Sequence, residues 1–203
     1  MRTSYYPDFD DGGHVVGIYT LSTDVHELTS TQERLRRSLE RDALTDALSR
    51  QTMMSCIEYS LTDTKQEYAL FFIDLDGFKA VNDEMGHHAG DRLLAAVAAA
   101  LRSAVRAEDA VGRFGGDEFL VLARGCGHAQ AQVLAEQLRR TVQATATAAG
   151  VNVSASIGFA IAPTDTRDPV ALLQYADAAM YAAKYSGKNR VMPLGKPGTD
   201  APA

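Results

Sequence analysis

The chain has 203 residues, 46% of them hydrophobic and 23% charged, with a formal net charge of −6. This suits one domain of ordinary size with a real core, plus an appendage. The negative balance argues against a sequence-independent grip on a nucleic-acid polymer, which needs a basic surface, so a phosphate-bearing ligand would need local lysines or a metal to offset the field.

No apolar run approaches the roughly 18 residues of a membrane span, and the N-terminus lacks the charged-then-apolar pattern of a signal peptide. The two cysteines, Cys56 and Cys126, have no metal-ligand spacing and read as reduced, packed thiols. The expected location is the cytoplasm, with no membrane span in the chain.

In chain order, DGGHVVGIYTL at residues 11–21 places a β-branched run after Gly-Gly, a strand leaving a turn. A strand needs partners for its backbone, and the residues before it offer one at most. The start is expected to be the end of a truncated domain. From Thr23 a helix is predicted: Val25, Leu28, Gln32, Leu35 and Leu39 alternate at spacings of three and four, with Glu33, Arg36, Arg37 and Glu40 between them. That is a short a/d seam with a polar member, compatible with a parallel dimer or with one amphipathic helix packed on its own domain.

After DALTDALSR a helix is expected over 51–63, then a strand at EYALFFIDLD, apolar over 68–73 and ending in acids. GDRLLAAVAAALRSAV, from Gly90, reads as an alanine-rich helix. DAVGRF and DEFLVLA on either side of Gly-Gly predict a β-hairpin. A helix over 128–146, a strand at VNVSASIGFAIA, a helix over 168–186 closed by Gly187, and a short strand at 190–192 complete the order. Alternation around a central hairpin predicts an α/β fold, a ferredoxin-like or palm-type mixed sheet covered by helices.

Two acidic strand ends stand out: Phe71-Phe72-Ile73-Asp74-Leu75-Asp76, and Asp117-Glu118 after the Gly-Gly bend of RFGGDEF. If the two strands are neighbours, Asp74 approaches Asp117. Two bare carboxylates about 4 Å apart repel by about 4 kcal/mol at an effective dielectric of 20, so a proton, a basic side chain or a divalent cation must offset them. Hard oxygen ligands at strand ends suit magnesium held together with substrate phosphates. Gly115 and Gly116 permit the tight bend and leave room for a ligand above it. Successive strand residues point to opposite faces, so Asp117 takes the firmer role and Glu118 needs a local twist to share an ion.

RFGGDEF, with FFIDLDGFKAVNDEMGHHAGDRLL, SIGFA and ADAAMYAAKYSGKNRV, resembles the GGDEF family of diguanylate cyclases, from DALTDALSR to about Met192. The resemblance implies a homodimer in which each subunit holds one GTP, and two GTP are condensed to cyclic di-GMP with release of two pyrophosphates. It implies Asp74, Asp117 and the carbonyl of Leu75 as ligands of Mg2+ (or Mn2+), and Glu118 for the metal or for activating the attacking hydroxyl. The catalytic set becomes Asp117, Glu118, Gly115, Gly116 and Lys79. Asn82 and Asp91 would accept from the guanine edge, since an amide oxygen and a carboxylate both accept hydrogen bonds. Phe78 and Lys79 match the phosphate loop, with Lys184 and Lys188 adding charge. Lysine at 188, where the family often has arginine, keeps the charge and loses the bidentate fork. His87 and His88, read as a solvated or structural pair in a loop, are left out of the site.

Arg106 and Asp109 match the family's RxxD inhibitory site, where cyclic di-GMP binds as an inhibitor as well as being the product; residues three apart project from one side of a turn. Residues 1–25 resemble the closing strand of a PAS sensor domain. The expected organisation is this remnant, a helical linker over 26–42, the catalytic domain over 43–194, and a flexible tail over 195–203; the helix from Thr23 to about Arg41 would span about 27 Å at 1.5 Å per residue. Without its sensor the chain is expected to be largely monomeric at low concentration. The rival reading, a binding module that holds GTP or cyclic di-GMP without turning it over, is disfavoured by intact Lys79, Asp74, Gly115, Gly116, Asp117 and Glu118. A cyclase for another nucleotide is disfavoured by Asn82 and Asp91. The remaining residues leave no room for an EAL-like hydrolase segment.

Overall fold

In a computed structural model, residues 2–23 and 40–194 are described. The proposed coiled-coil seam and the C-terminal tail fall outside them. The chain divides into two compact units between Leu39 and Glu40.

The first unit is an antiparallel hairpin of β1 (Arg2–Phe9) and β2 (Val15–Thr23), with Tyr6 opposite Tyr19. The Asp10 carboxylate accepts from the backbone N–H groups of Gly12 and His14 at 2.9 and 2.8 Å, and Gly13 takes φ +80°. β2 therefore has the partner strand that was doubtful in the sequence. Pro7 lies inside β1, which among the described residues pairs with β2 alone, and an edge strand tolerates proline.

The second unit is a five-stranded sheet in the order β4-β5-β3-β6-β7, antiparallel except for the parallel pair β6 and β7. Its strands are β3 (Tyr68–Asp76), β4 (Ala110–Gly115), β5 (Glu118–Arg124), β6 (Ser154–Ala162) and β7 (Arg190–Pro193). The helices are α1 (Arg50–Ser60), α2 (Phe78–Met85), α3 (His87–Ala104), α4 (His128–Ala148) and α5 (Pro169–Tyr185). This is the expected α/β layer fold. One difference lies between β3 and the hairpin, where Gly86 at φ +79° separates two helices. His87 and His88 accordingly occupy the first turn of α3, exposed, rather than a loop.

β3 is central and buried along its whole length. Its alternation splits the core: Phe71, Ile73 and Leu75 pack with α3 and α4, while Leu70 and Phe72 pack with α1 and α5. Parity then assigns Asp74 to the α5 side. On β5, Leu120 and Leu122 share that side, so Glu118 does too. α5 begins sharply because Asp168 accepts from Ala171 N–H at 2.7 Å and Pro169 follows it. It lies hard on β6: a Cβ at Gly158 would overlap the backbone of Ala176 and Met180. That close approach carries the last turn of α5 to the acidic end of β3.

Candidate active site

β3 and β5 are neighbours, as the two acidic strand ends required, and their register pairs Asp74 with Glu118. Asp117 sits one residue earlier, in the bend, where its backbone carbonyl accepts from Leu75 N–H at 3.3 Å. Its side chain turns into a cavity of about 490 Å³ shared with Asp74, Leu75, Phe78, Lys79, Lys184 and Lys188. The register breaks between Arg113 and Gly115, and Glu118, unlike Asp117, is not among the residues lining that cavity. Gly116 adopts φ +30°, and an added Cβ there meets nothing within 4 Å. The space above the bend is open.

Asp74 is buried, and its carboxylate is met by Lys184 Nζ at 2.7 Å. Burial pushes the Asp74 pKa up; Lys184 opposes this, and Asp117 and Asp76 add to it, leaving Asp74 above the usual carboxylate range. Burial would lower Lys184, but Asp74, Asp117 and Asp76 hold it above its ordinary value. Both shifts are upward: burial leads the one on Asp74, and the one on Lys184 reflects a single ammonium facing several acids. Glu118 is raised by burial, then by Asp74, Asp117 and Asp177. Asp177, on α5, went unremarked in the sequence.

Those hard carboxylate oxygens, short of positive charge, fit a divalent cation. Among the described residues, no three His, Cys, Asp or Glu side chains converge closely enough to hold an ion by themselves. A backbone carbonyl or substrate phosphate would have to complete the shell, as is usual for magnesium. Asp76, at the same strand end, is engaged otherwise: it accepts from Ser154 and Ser156 hydroxyls at 3.0 and 2.8 Å and from Asn189 N–H at 3.0 Å.

The remaining candidates surround this centre. Gly77, at φ +85°, turns β3 into α2, which begins at Phe78 with Lys79 exposed in its first turn. Lys188 follows α5 at φ +60°. Asn82 and Asp91 lie outside the cavity lining. The Asn82 amide rests against Gly90, where a Cβ would overlap it, and this places Asn82 beside the turn that carries Asp91.

Arg113 is a positioning residue the sequence reading missed. Its Nε and one terminal nitrogen donate to the Gly116 carbonyl at 3.0 and 2.7 Å, and the other terminal nitrogen reaches Asp42 Oδ1 at 3.2 Å. Burial would raise Asp42, but hydrogen bonds from Thr45 and Arg113 hold it below its ordinary value. Arg113 N–H also donates to Leu48 O. The DALTDALSR segment is thereby fastened to the acidic bend. A basic residue just before Gly-Gly and an acid in that segment were the available signal.

Arg106 and Asp109 occupy the turn after α3. The Asp109 carboxylate accepts from Arg106 N–H and Arg124 N–H, both at 3.0 Å, so it secures the turn as well as presenting charge. Both residues line a cavity of about 620 Å³ walled by Val105, Cys126 and α4. Burial there pushes the Cys126 thiol up to about 11, which leaves it protonated and inert near neutral pH.

The family model described as diguanylate cyclase, GGDEF domain, matches residues 39–190. The bifunctional diguanylate cyclase/cyclic di-GMP phosphodiesterase MucR of Pseudomonas aeruginosa is 40% identical over 172 residues, 80% of this chain and 25% of MucR. The diguanylate cyclase TpbB of Pseudomonas aeruginosa is 36% identical over 187 residues, 84% of this chain and 43% of TpbB. A crystal structure of the TpbB GGDEF domain matches with a TM-score of 0.69 at 33% identity, covering 75% of this chain and 99% of that one. The chain thus spans less than half the length of either curated relative.

Proposed function

Because the chain belongs to the GGDEF-domain family of diguanylate cyclases, we propose that it condenses two GTP molecules into cyclic di-GMP and releases two pyrophosphates. The observation that carries this reading is the meeting of Asp74, Asp117 and Lys184 with Lys79 and Lys188 in one open cavity beside the Gly-Gly bend. A binding-only role would not require that full set of acids and ammonium groups.

Asp74, Asp117, the carbonyl of Leu75 and Glu118 would hold magnesium or manganese, which when bound neutralises charge on phosphate oxygens. Lys79, Lys184 and Lys188 orient the triphosphate, and the backbone at Phe78, where α2 begins, adds N–H donors. Asn82 and Asp91 accept from the guanine edge. The 3′-hydroxyl of one nucleotide attacks the α-phosphorus of the other, the bond to the β-phosphate breaks, and pyrophosphate leaves. Glu118 either shares the ion or takes the hydroxyl proton. One chain offers half of this arrangement, so two copies must face each other. Arg106 and Asp109 would bind guanines of the product and restrain turnover.

The hairpin β1–β2 is read as part of a PAS-like sensor. None of the described helices is long and apolar enough to cross a membrane, and a cytoplasmic site of action follows from the GTP requirement. The test is incubation with GTP and magnesium at high protein concentration, with the product identified by mass. Cyclic di-GMP supports the reading; linear product or none supports the binding module.

A further inference from the structure

Tyr181 and Tyr185 lie one turn apart on α5, their ring centroids 4.6 Å apart and their hydroxyls 2.7 Å apart. Both are well exposed, at 55% and 76%. A hydroxyl pair in water gains little over hydration, while fixing two side chains loses rotamer freedom. Stability therefore does not account for the pairing.

Position offers an account. Residues 181, 184, 185 and 188 follow one side of α5 and its exit, and all four line the cavity with Asp74 and Asp117. Lys184 is drawn inward to Asp74, while Tyr181 and Tyr185 stay exposed along the same cavity. When one phenol donates to the other, the accepting phenol keeps its own O–H free. The pair thus presents one outward donor, held in place by its neighbour, at a rim where the other donors are ammonium groups. A phenolic O–H also donates without adding charge.

We propose that the Tyr181–Tyr185 hydroxyl pair is a positioning element that donates a hydrogen bond to the polyphosphate of the bound nucleotide. This rests on the nucleotide reading of the cavity given above. It assigns binding function to two residues that the acids and lysines left unused.

The test is calorimetric titration of the whole chain with inorganic pyrophosphate and with GTP, each with magnesium, for the parent, Tyr181→Phe, Tyr185→Phe and the double variant. Either phenol can be the outward donor, so the double variant is decisive. It should bind pyrophosphate about tenfold more weakly, the order expected of one hydrogen bond to a charged group, with an unchanged melting temperature. In turnover its KM for GTP should rise by a similar factor while kcat stays within about twofold, a split that a purely structural role would not produce. Parent-like affinity in the double variant overturns the proposal while leaving the nucleotide site intact. A parent that binds neither ligand overturns both.

Discussion

Lys184 extends its ammonium to within 2.7 Å of the Asp74 carboxylate, joining the last turn of α5 to the acidic end of β3. Lys184→Met should leave Asp74 buried among like charges. Breaking a fully buried pair costs about 3–5 kcal/mol. Here the lysine is about one-third exposed, so a loss of about 1–2 kcal/mol is expected after discounting for solvent. Magnesium should raise the variant's melting temperature by more than the parent's, since no ammonium competes for the acids. Thermal melts with and without magnesium check this; equal melting of variant and parent contradicts it.

Arg113 ties Asp42 to the carbonyl of Gly116. Arg113→Gln should reduce kcat about tenfold or more, because a small displacement of the Asp117 bend misplaces a reacting group. Asp42→Asn should have a smaller effect, since the contact with Gly116 survives. Steady-state rates at matched folded fractions check this, and an Arg113→Gln enzyme with parental kcat would show that the bend holds its shape unaided.

Gly90 gives the Asn82 amide its place. Gly90→Ala should push that amide aside and raise KM for GTP several-fold, close to the effect of Asn82→Ala. The added Cβ also comes within 3.0 Å of Phe78 Cζ, but the overlap with the Asn82 amide is the larger one, so the double variant should be no worse than Gly90→Ala alone. Additive effects in the cycle would separate Gly90 from nucleotide recognition.

Arg106 and Asp109 share the turn after α3. Arg106→Ala should relieve inhibition by added cyclic di-GMP with little change in the uninhibited rate. Asp109→Ala should also lower stability by about 1–3 kcal/mol, because two backbone N–H groups lose their acceptor. Product-inhibition curves and melts distinguish the two roles, and equal product sensitivity in Arg106→Ala and parent removes the brake.

The acids at the end of β3 were legible because an apolar run long enough for a central strand stops in them. The hairpin was legible because Gly-Gly divides two strand-like runs. The pairing of Asp74 with Glu118 was not, since register depends on which strands become neighbours. Nor could sequence separate Asp74 from Asp76, two residues along the same strand: both line the cavity, but the Asp74 carboxylate meets Lys184 while that of Asp76 is taken up by Ser154, Ser156 and Asn189. Arg113 looked like a residue preceding a motif, because its partner Asp42 is distant along the chain.

The measurement closest to the central claim is the initial rate of cyclic di-GMP formation from GTP and magnesium by the parent and by Asp117→Asn, at matched concentration and melting temperature. Removing one carboxylate charge from a site that acts mainly by electrostatics should lower the rate by about a hundredfold or more. Comparable rates in the two proteins would contradict a centre built on Asp74 and Asp117.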